Sequence, residues 1–213
     1  DPTSLVFDTV EKVPIERLDA QSLGVIASTL VERYAQVAED YLIRLEEEFP
    51  DSPHRSYAYY ARARLLLAKS DYEVARVLLA RMQAESPMHP LSIKASLIYA
   101  ESLTQTDRFE AATNILEDLL KRRDARGRPH AEALLSLSLN AEAAGKVKRA
   151  VPYAQRVYNV YRAYPDLVAR AYLLSARQLE ALGELKAAYL SLEEMLADKR
   201  IQKLPLANEA AAM

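Results

Sequence analysis

Residues 63–87 read ARLLLAKSDYEVARVLLARMQAESP. The stretch holds a helix, a tight polar turn at Lys69–Asp71 and a second helix closing at Ser86-Pro87. The same phrase returns, more loosely, at three later places. A small residue on the first helix is followed twelve positions later by an alanine on the second: Ala63 and Ala75, Ala100 and Ala112, Ser138 and Ala150, Ala176 and Ala188. The second members step by 37, 38 and 38 residues. Repetition at this period signals helical hairpins stacked into an α-solenoid. The expected fold is therefore all-α, and the expected role is binding another protein.

The second helix of each hairpin repeats one apolar stripe at i, i+3, i+4, i+7. It holds Ala75, Leu78, Leu79, Met82; Ala112, Ile115, Leu116, Leu119; Ala150, Tyr153, Ala154, Val157; and Ala188, Ser191, Leu192, Met195. Ala38, Tyr41, Leu42 and Leu45 repeat the spacing 37 residues before the first set. Small residues at these positions let helix backbones approach closely. One hairpin cannot bury such a stripe alone, so each must stack on the next.

Outward from this centre, residues 1–19 read as an extended lead-in interrupted by Pro2 and Pro14, with Leu5, Val6 and Phe7 packing on the first helices. Residues 20–49 form one long helix or a degenerate first pair with a poorly marked turn. Ser52 and Pro53 suit the start of the next helix, as cap and first helical residue. Further hairpins are expected at 54–69 with 71–85, 90–105 with 107–122, 129–144 with 147–162, and 166–182 with 185–198. Their repeats span about 54–87, 90–124, 129–164 and 166–202, giving a helical domain over 20–203. Ser70-Asp71, Thr106-Asp107, Gly145 and Gly183 mark the turns, as caps or left-handed residues. Pro152 predicts a kink or a delayed start in its helix. Residues 204–213 look like the opening of another first helix that stops short, and the chain, opening on Asp1, reads as a fragment of something longer.

Composition narrows the chemistry. There is no Cys, which excludes disulfides, thiolate metal sites and cysteine nucleophiles. The net charge of −2 argues against a generic nucleic-acid binder. Charge is unevenly placed, however. Residues 1–50 carry eleven acidic against four basic side chains, a net −7, and residues 121–170 the reverse, a net +7. Such a split can orient association. No apolar run approaches the ~20 residues of a membrane span.

The copy at 56–89 resembles the tetratricopeptide repeat. Ala63 takes its small slot, Leu66 the next apolar slot, Asp71-Tyr72 the turn, Ala75 and Leu79 the second helix and Pro87 the closing proline. Copies at 93–126, 131–164 and 169–202 match at the small positions and turns but lack that proline in register. The segment EEEFPDSP, followed by an Ala/Tyr-rich helix, is also similar to bacterial envelope scaffolds of this class. The resemblance implies a right-handed superhelix, and its envelope variant a periplasmic location, with the cytoplasm as the alternative. It also implies a concave groove lined by first helices that takes a partner peptide or helix. Carried onto this chain, the groove positions are Tyr57, Tyr60 and Arg64; Lys94, Leu97 and Glu101; Leu135 and Leu139; and Arg170, Leu173 and Arg177. The asparagines of a carboxylate clamp are missing, so an amphipathic or extended segment with apolar anchors suits the groove better. A second reading fills the groove with the chain's own lead-in or a neighbouring copy; a third makes the chain the helical part of a larger enzyme.

Nothing points to catalysis, a cofactor or a metal. His54, His89 and His130 each neighbour a proline at a turn in successive repeats, too far apart to share an ion, and read as surface residues. Carboxylate pairs such as Glu193-Glu194 belong on solvated helix faces. Isolated glycines make no phosphate loop. The run KRRDARGR (121–128) reads as an exposed loop or as a patch for an acidic partner. The tyrosines divide between helix packing and interface, with Tyr57 and Tyr60 the leading interface candidates.

Overall fold

Hairpins at a fixed step require helices joined by short, similarly capped turns, and the computed structural model, which describes Phe7, Thr9 and residues 12–212, contains them. Among the described residues there are eleven α-helices and no strand. They are α1 (Ala20–Leu30), α2 (Ala35–Glu48), α3 (Arg55–Ala68), α4 (Tyr72–Glu85), α5 (Ser92–Thr104), α6 (Phe109–Lys121), α7 (Arg128–Ala143), α8 (Val147–Val160), α9 (Pro165–Ala181), α10 (Leu185–Ala197) and α11 (Leu206–Ala212). The chain divides into two compact units, Asp1–Ala95 and Ser96–Met213. Within each, helices pack on their neighbours in sequence, and first helices pack on first helices: α1 on α3, α7 on α9, α9 on α11.

The four turns inside the later hairpins are built alike. Ser70, Asp107, Gly145 and Gly183 all have φ between 58° and 78°. They recur at 37, 38 and 38 residues, five positions ahead of the alanine ladder. The next amide in each case reaches back five residues: Asp71 to the Leu66 carbonyl, Arg108 to Leu103, Lys146 to Ala141 and Glu184 to Leu179, all at 2.8–2.9 Å. The left-handed residue itself donates to the carbonyl three before it, as Gly145 does to Glu142 at 2.9 Å. These are Schellman closures, which satisfy carbonyls that the helix end leaves without a partner.

The alanine ladder is buried throughout. Ala38, Ala75, Ala112 and Ala150 are fully buried, Ala188 nearly so, and their first-helix partners Ala63, Ala100, Ser138 and Ala176 are fully buried too. Two of the small pairs meet visibly. Ser138 Oγ donates to the Ala150 carbonyl at 2.9 Å, and Ala176 and Ala188 share one core cluster with Val151 and Leu179. The i+4 and i+7 members of the stripe, such as Leu79 and Met82 or Leu116 and Leu119, complete the core.

The first pair is two helices, not one. Asp19 caps α1 by accepting from the Ser22 amide at 2.8 Å. At the other end Ser28 and Thr29 hydroxyls both donate to the Val25 carbonyl (3.0 and 2.7 Å), a back-bonding that weakens a helix. Residues 31–34 then form the turn. Gly24 has a steric task, since a Cβ there would lie 2.8 Å from Tyr57 Cβ on α3.

Other expectations need correction. The lead-in is not extended where it is described: Phe7 and Thr9 are helical and Ile15–Arg17 is a 3-10 turn. Phe7 stacks on Tyr34 with ring centroids 4.3 Å apart, whereas Leu5 and Val6 lie outside the described residues. Pro53 precedes its helix, which starts at Arg55, and Ser52 Oγ accepts from the His54 amide at 3.1 Å. Pro152 delays nothing: α8 runs unbroken from Val147, with the proline ring exposed one turn in. Near a helix start the lost hydrogen bond is a single one and solvent accommodates the ring.

Candidate functional site

A surface for a partner needs exposed apolar area beside orienting charge, and first helices of the second unit supply both. The stripe Arg170, Leu173, Leu174, Arg177 lies along one face of α9 at i, i+3, i+4, i+7. With Leu135 and Leu139 of α7 and Leu206 of α11 it lines a concavity of about 210 Å³. A second hollow of about 430 Å³ adjoins it, sharing Leu139 and Arg170 and adding Glu101, Thr104, Gln105 and Glu142. Leu135 and Leu173 form the buried floor, while Leu139 is 44% exposed between them. One end is thus apolar and cationic, and the other is polar and acidic.

Burial sorts the expected groove positions by register. The middle rung, Tyr60, Leu97, Leu135 and Leu173, faces inward: Tyr60 is 1% exposed, Leu135 and Leu173 are buried, and Leu97 is partly buried. The outer rung, Arg64, Glu101, Leu139 and Arg177, is accessible, as are Lys94 and Arg170. Leu135, Leu139, Arg170, Leu173 and Arg177 come together around the first hollow, and Glu101 joins at the second.

Tyr57 and Tyr60 require a different assignment. Tyr60 is a core side chain of the first unit whose hydroxyl donates to Glu32 Oε1 at 3.2 Å. Burial, then the Glu32 carboxylate, hold its phenol well above the ordinary range. Removing it would cost about 3 kcal/mol or more in packing, so it is not a free contact for a partner. Tyr57 sits over Gly24 and meets the His89 ring edge-on at 4.3 Å. Arg64 stands 4.0 Å from Glu32. In the first unit these positions hold α1 to α3.

Several other tyrosines and histidines serve packing, although Tyr189 is exposed. Tyr158 stacks on Tyr172, centroids 4.0 Å apart. Burial and then the Glu194 carboxylate push the Tyr172 hydroxyl up. His130 is no surface residue: half-buried, it joins the Tyr161 hydroxyl through Nδ1 and the Leu120 carbonyl through Nε2 at 2.9 Å. The carbonyl can only accept, so Nε2 carries a proton, and in the neutral ring Tyr161 donates to Nδ1. His89 is half-buried as well, and burial lowers its pKa. The basic run is largely neutralised: Lys121 pairs with Asp118 at 2.8 Å, Arg122 with Asp124 at 2.6 Å, and Arg128 with Glu132 at 3.0 Å and with Asp166. Among the described residues that leaves Arg123 and Arg126 as the exposed cations of the run outside these ion pairs.

One ladder escaped the sequence reading. Asn140 and Gln178, 38 residues apart, are buried amides on successive first helices. Asn140 donates to the Phe109 carbonyl and to Thr113 Oγ1, each at 2.9 Å, and accepts from Thr104 at 2.8 Å. Gln178 donates to Ser138 Oγ at 3.0 Å and Glu142 at 2.7 Å. Each peg fixes one first helix against the preceding hairpin. The signal available in advance was a polar residue at a repeated register inside an apolar face.

No family model matches this chain, and a search of curated proteins finds no similar sequence. Among the described residues no helix is long and apolar enough to cross a membrane, and no three His, Asp or Glu side chains come together as a metal site.

Proposed function

We propose that this chain is a non-enzymatic interaction scaffold built from tetratricopeptide-like hairpins in a right-handed superhelix, and that it takes a partner segment in the concavity of residues 96–213. The observation carrying this reading is Leu139, 44% exposed among buried leucines and flanked by Arg170 and Arg177. An apolar side chain of a partner helix or strand gains burial there, at about 25 cal/mol per Å² of apolar surface removed from water. The arginines set orientation through charge. A periplasmic site of action follows from the envelope-scaffold resemblance and stands or falls with it.

Selecting a displayed peptide library on the immobilised chain tests the reading without a known partner. Enriched peptides should carry an apolar anchor and lose at least tenfold in affinity, about 1.4 kcal/mol, against Leu139→Asp. The variant should keep its helicity and Tm, because the side chain is exposed. Peptides that bind Leu139→Asp equally well would place the binding surface elsewhere.

A further inference from the structure

The concavity's two arginines have no ionic partner among the described residues, and neither do two carboxylates on the other unit. The other acids of α2 are engaged: Glu39 and Glu46 with Arg62, Glu48 with Arg44. Asp40 and Glu47 are exposed and, among the described residues, belong to none of the ion pairs. With Ile43, itself 41% exposed, they occupy the face of α2 opposite its buried residues Ala38, Leu42 and Leu45. Arg170 and Arg177 are likewise exposed and outside the ion pairs.

The two faces match in spacing. Asp40 and Glu47 are seven residues apart with an aliphatic side chain between them, and so are Arg170 and Arg177 with Leu173 and Leu174 between. Seven residues of helix span roughly 10.5 Å, so acid, isoleucine, acid can lie against arginine, leucine floor, arginine in one register. We propose that α2 of one copy of this chain docks in the second-unit concavity of another, Ile43 entering beside Leu139 and each carboxylate meeting one guanidinium. This rests on the reading of the concavity as a binding surface and names its occupant.

The consequences are specific. The two surfaces differ, so the contact is head-to-tail and either closes into a ring or extends. One helix face buries less than the ~1,200 Å² of a standard stable interface, so association is weak. It is also salt-sensitive, because its ion pairs are at the surface.

Light scattering of the full chain over a concentration series provides the test. At low salt the average mass should climb above the 23.9 kDa of one chain, and at roughly 1 M salt, where the Debye length is about 3 Å, it should return to one chain. Arg170→Glu with Arg177→Glu should abolish the rise, and so should Asp40→Arg with Glu47→Arg. Mixing those two variants should restore association, since the native acids of one meet the native arginines of the other and the reversed charges are complementary as well. Ile43→Asp is an independent check and should also abolish association. A monomer at every concentration, association that survives either double variant, or a mixture that stays monomeric would overturn the proposal. If library peptides still bind in a Leu139-dependent way while the chain stays monomeric, self-docking fails and the concavity reading stands. If the peptides fail too, both fail.

Discussion

Ser70 holds the left-handed conformation at φ 61°, where its counterparts in the third and fourth of these turns are glycines. A Cβ there costs about 1–2 kcal/mol. Ser70→Gly should therefore raise stability by about 1 kcal/mol, and Gly145→Ala should lower it by a similar amount. Thermal melts of the two variants check both signs together. His89 makes a second residue-scale prediction. Its Nδ1 accepts from the Leu91 amide at 3.2 Å, which requires the neutral ring, and burial depresses its pKa below the ordinary histidine value of about 6.5. Above that value the ring is neutral folded or unfolded and contributes no pH dependence. As pH falls below 6.5 the unfolded chain binds a proton that the folded chain resists, so stability declines towards the lowered folded pKa. Denaturant titrations between pH 7.5 and about 5 should show this decline, and His89→Gln should flatten it. The left-handed turns were half legible in sequence, because Gly and Asp advertise the conformation whereas Ser70 reads equally well as a cap.

At the scale of elements, α1 and α3 meet through Gly24 lying under Tyr57. A methyl at Gly24 favours the helix by ~1 kcal/mol, but at 2.8 Å from Tyr57 Cβ it forces backbone apart, and overpacking of this kind costs about 1–3 kcal/mol. The second effect wins, so Gly24→Ala should lower the melting temperature, whereas the same change at an open helical glycine would raise it. Helix boundaries followed from sequence to within a residue or two, since caps and apolar periodicity act locally. The break at 31–34 did not, because no Gly, Pro, Asn or Asp announces it. Ser28 and Thr29 back-bond to the Val25 carbonyl just before the break, a local weakening rather than a turn signal.

For the whole molecule, packing between neighbouring helices alone makes stability close to a sum of local terms. Hydrogen exchange on Gly24→Ala should then show faster amides in α1 to α3, with α7 to α9 protected as before. Uniform loss along the chain would indicate a single cooperative block. The acidic and basic halves acquire a sharper meaning from the same structure. Much of the positive run 121–128 is engaged in local ion pairs, whereas Arg170 and Arg177 line the concavity with no ion pair among the described residues.

By itself the sequence determined the hairpins, their 37–38-residue step and the small residues that seat one on the next, because turn closure and helix periodicity involve residues at most seven apart. Tertiary structure alone decided which positions a partner can reach. Tyr60 and Leu139 both belong to the expected groove positions, yet one is buried with its hydroxyl bonded to Glu32 and the other is 44% exposed. A side chain's exposure depends on what a distant helix lays over it, and no local pattern records that.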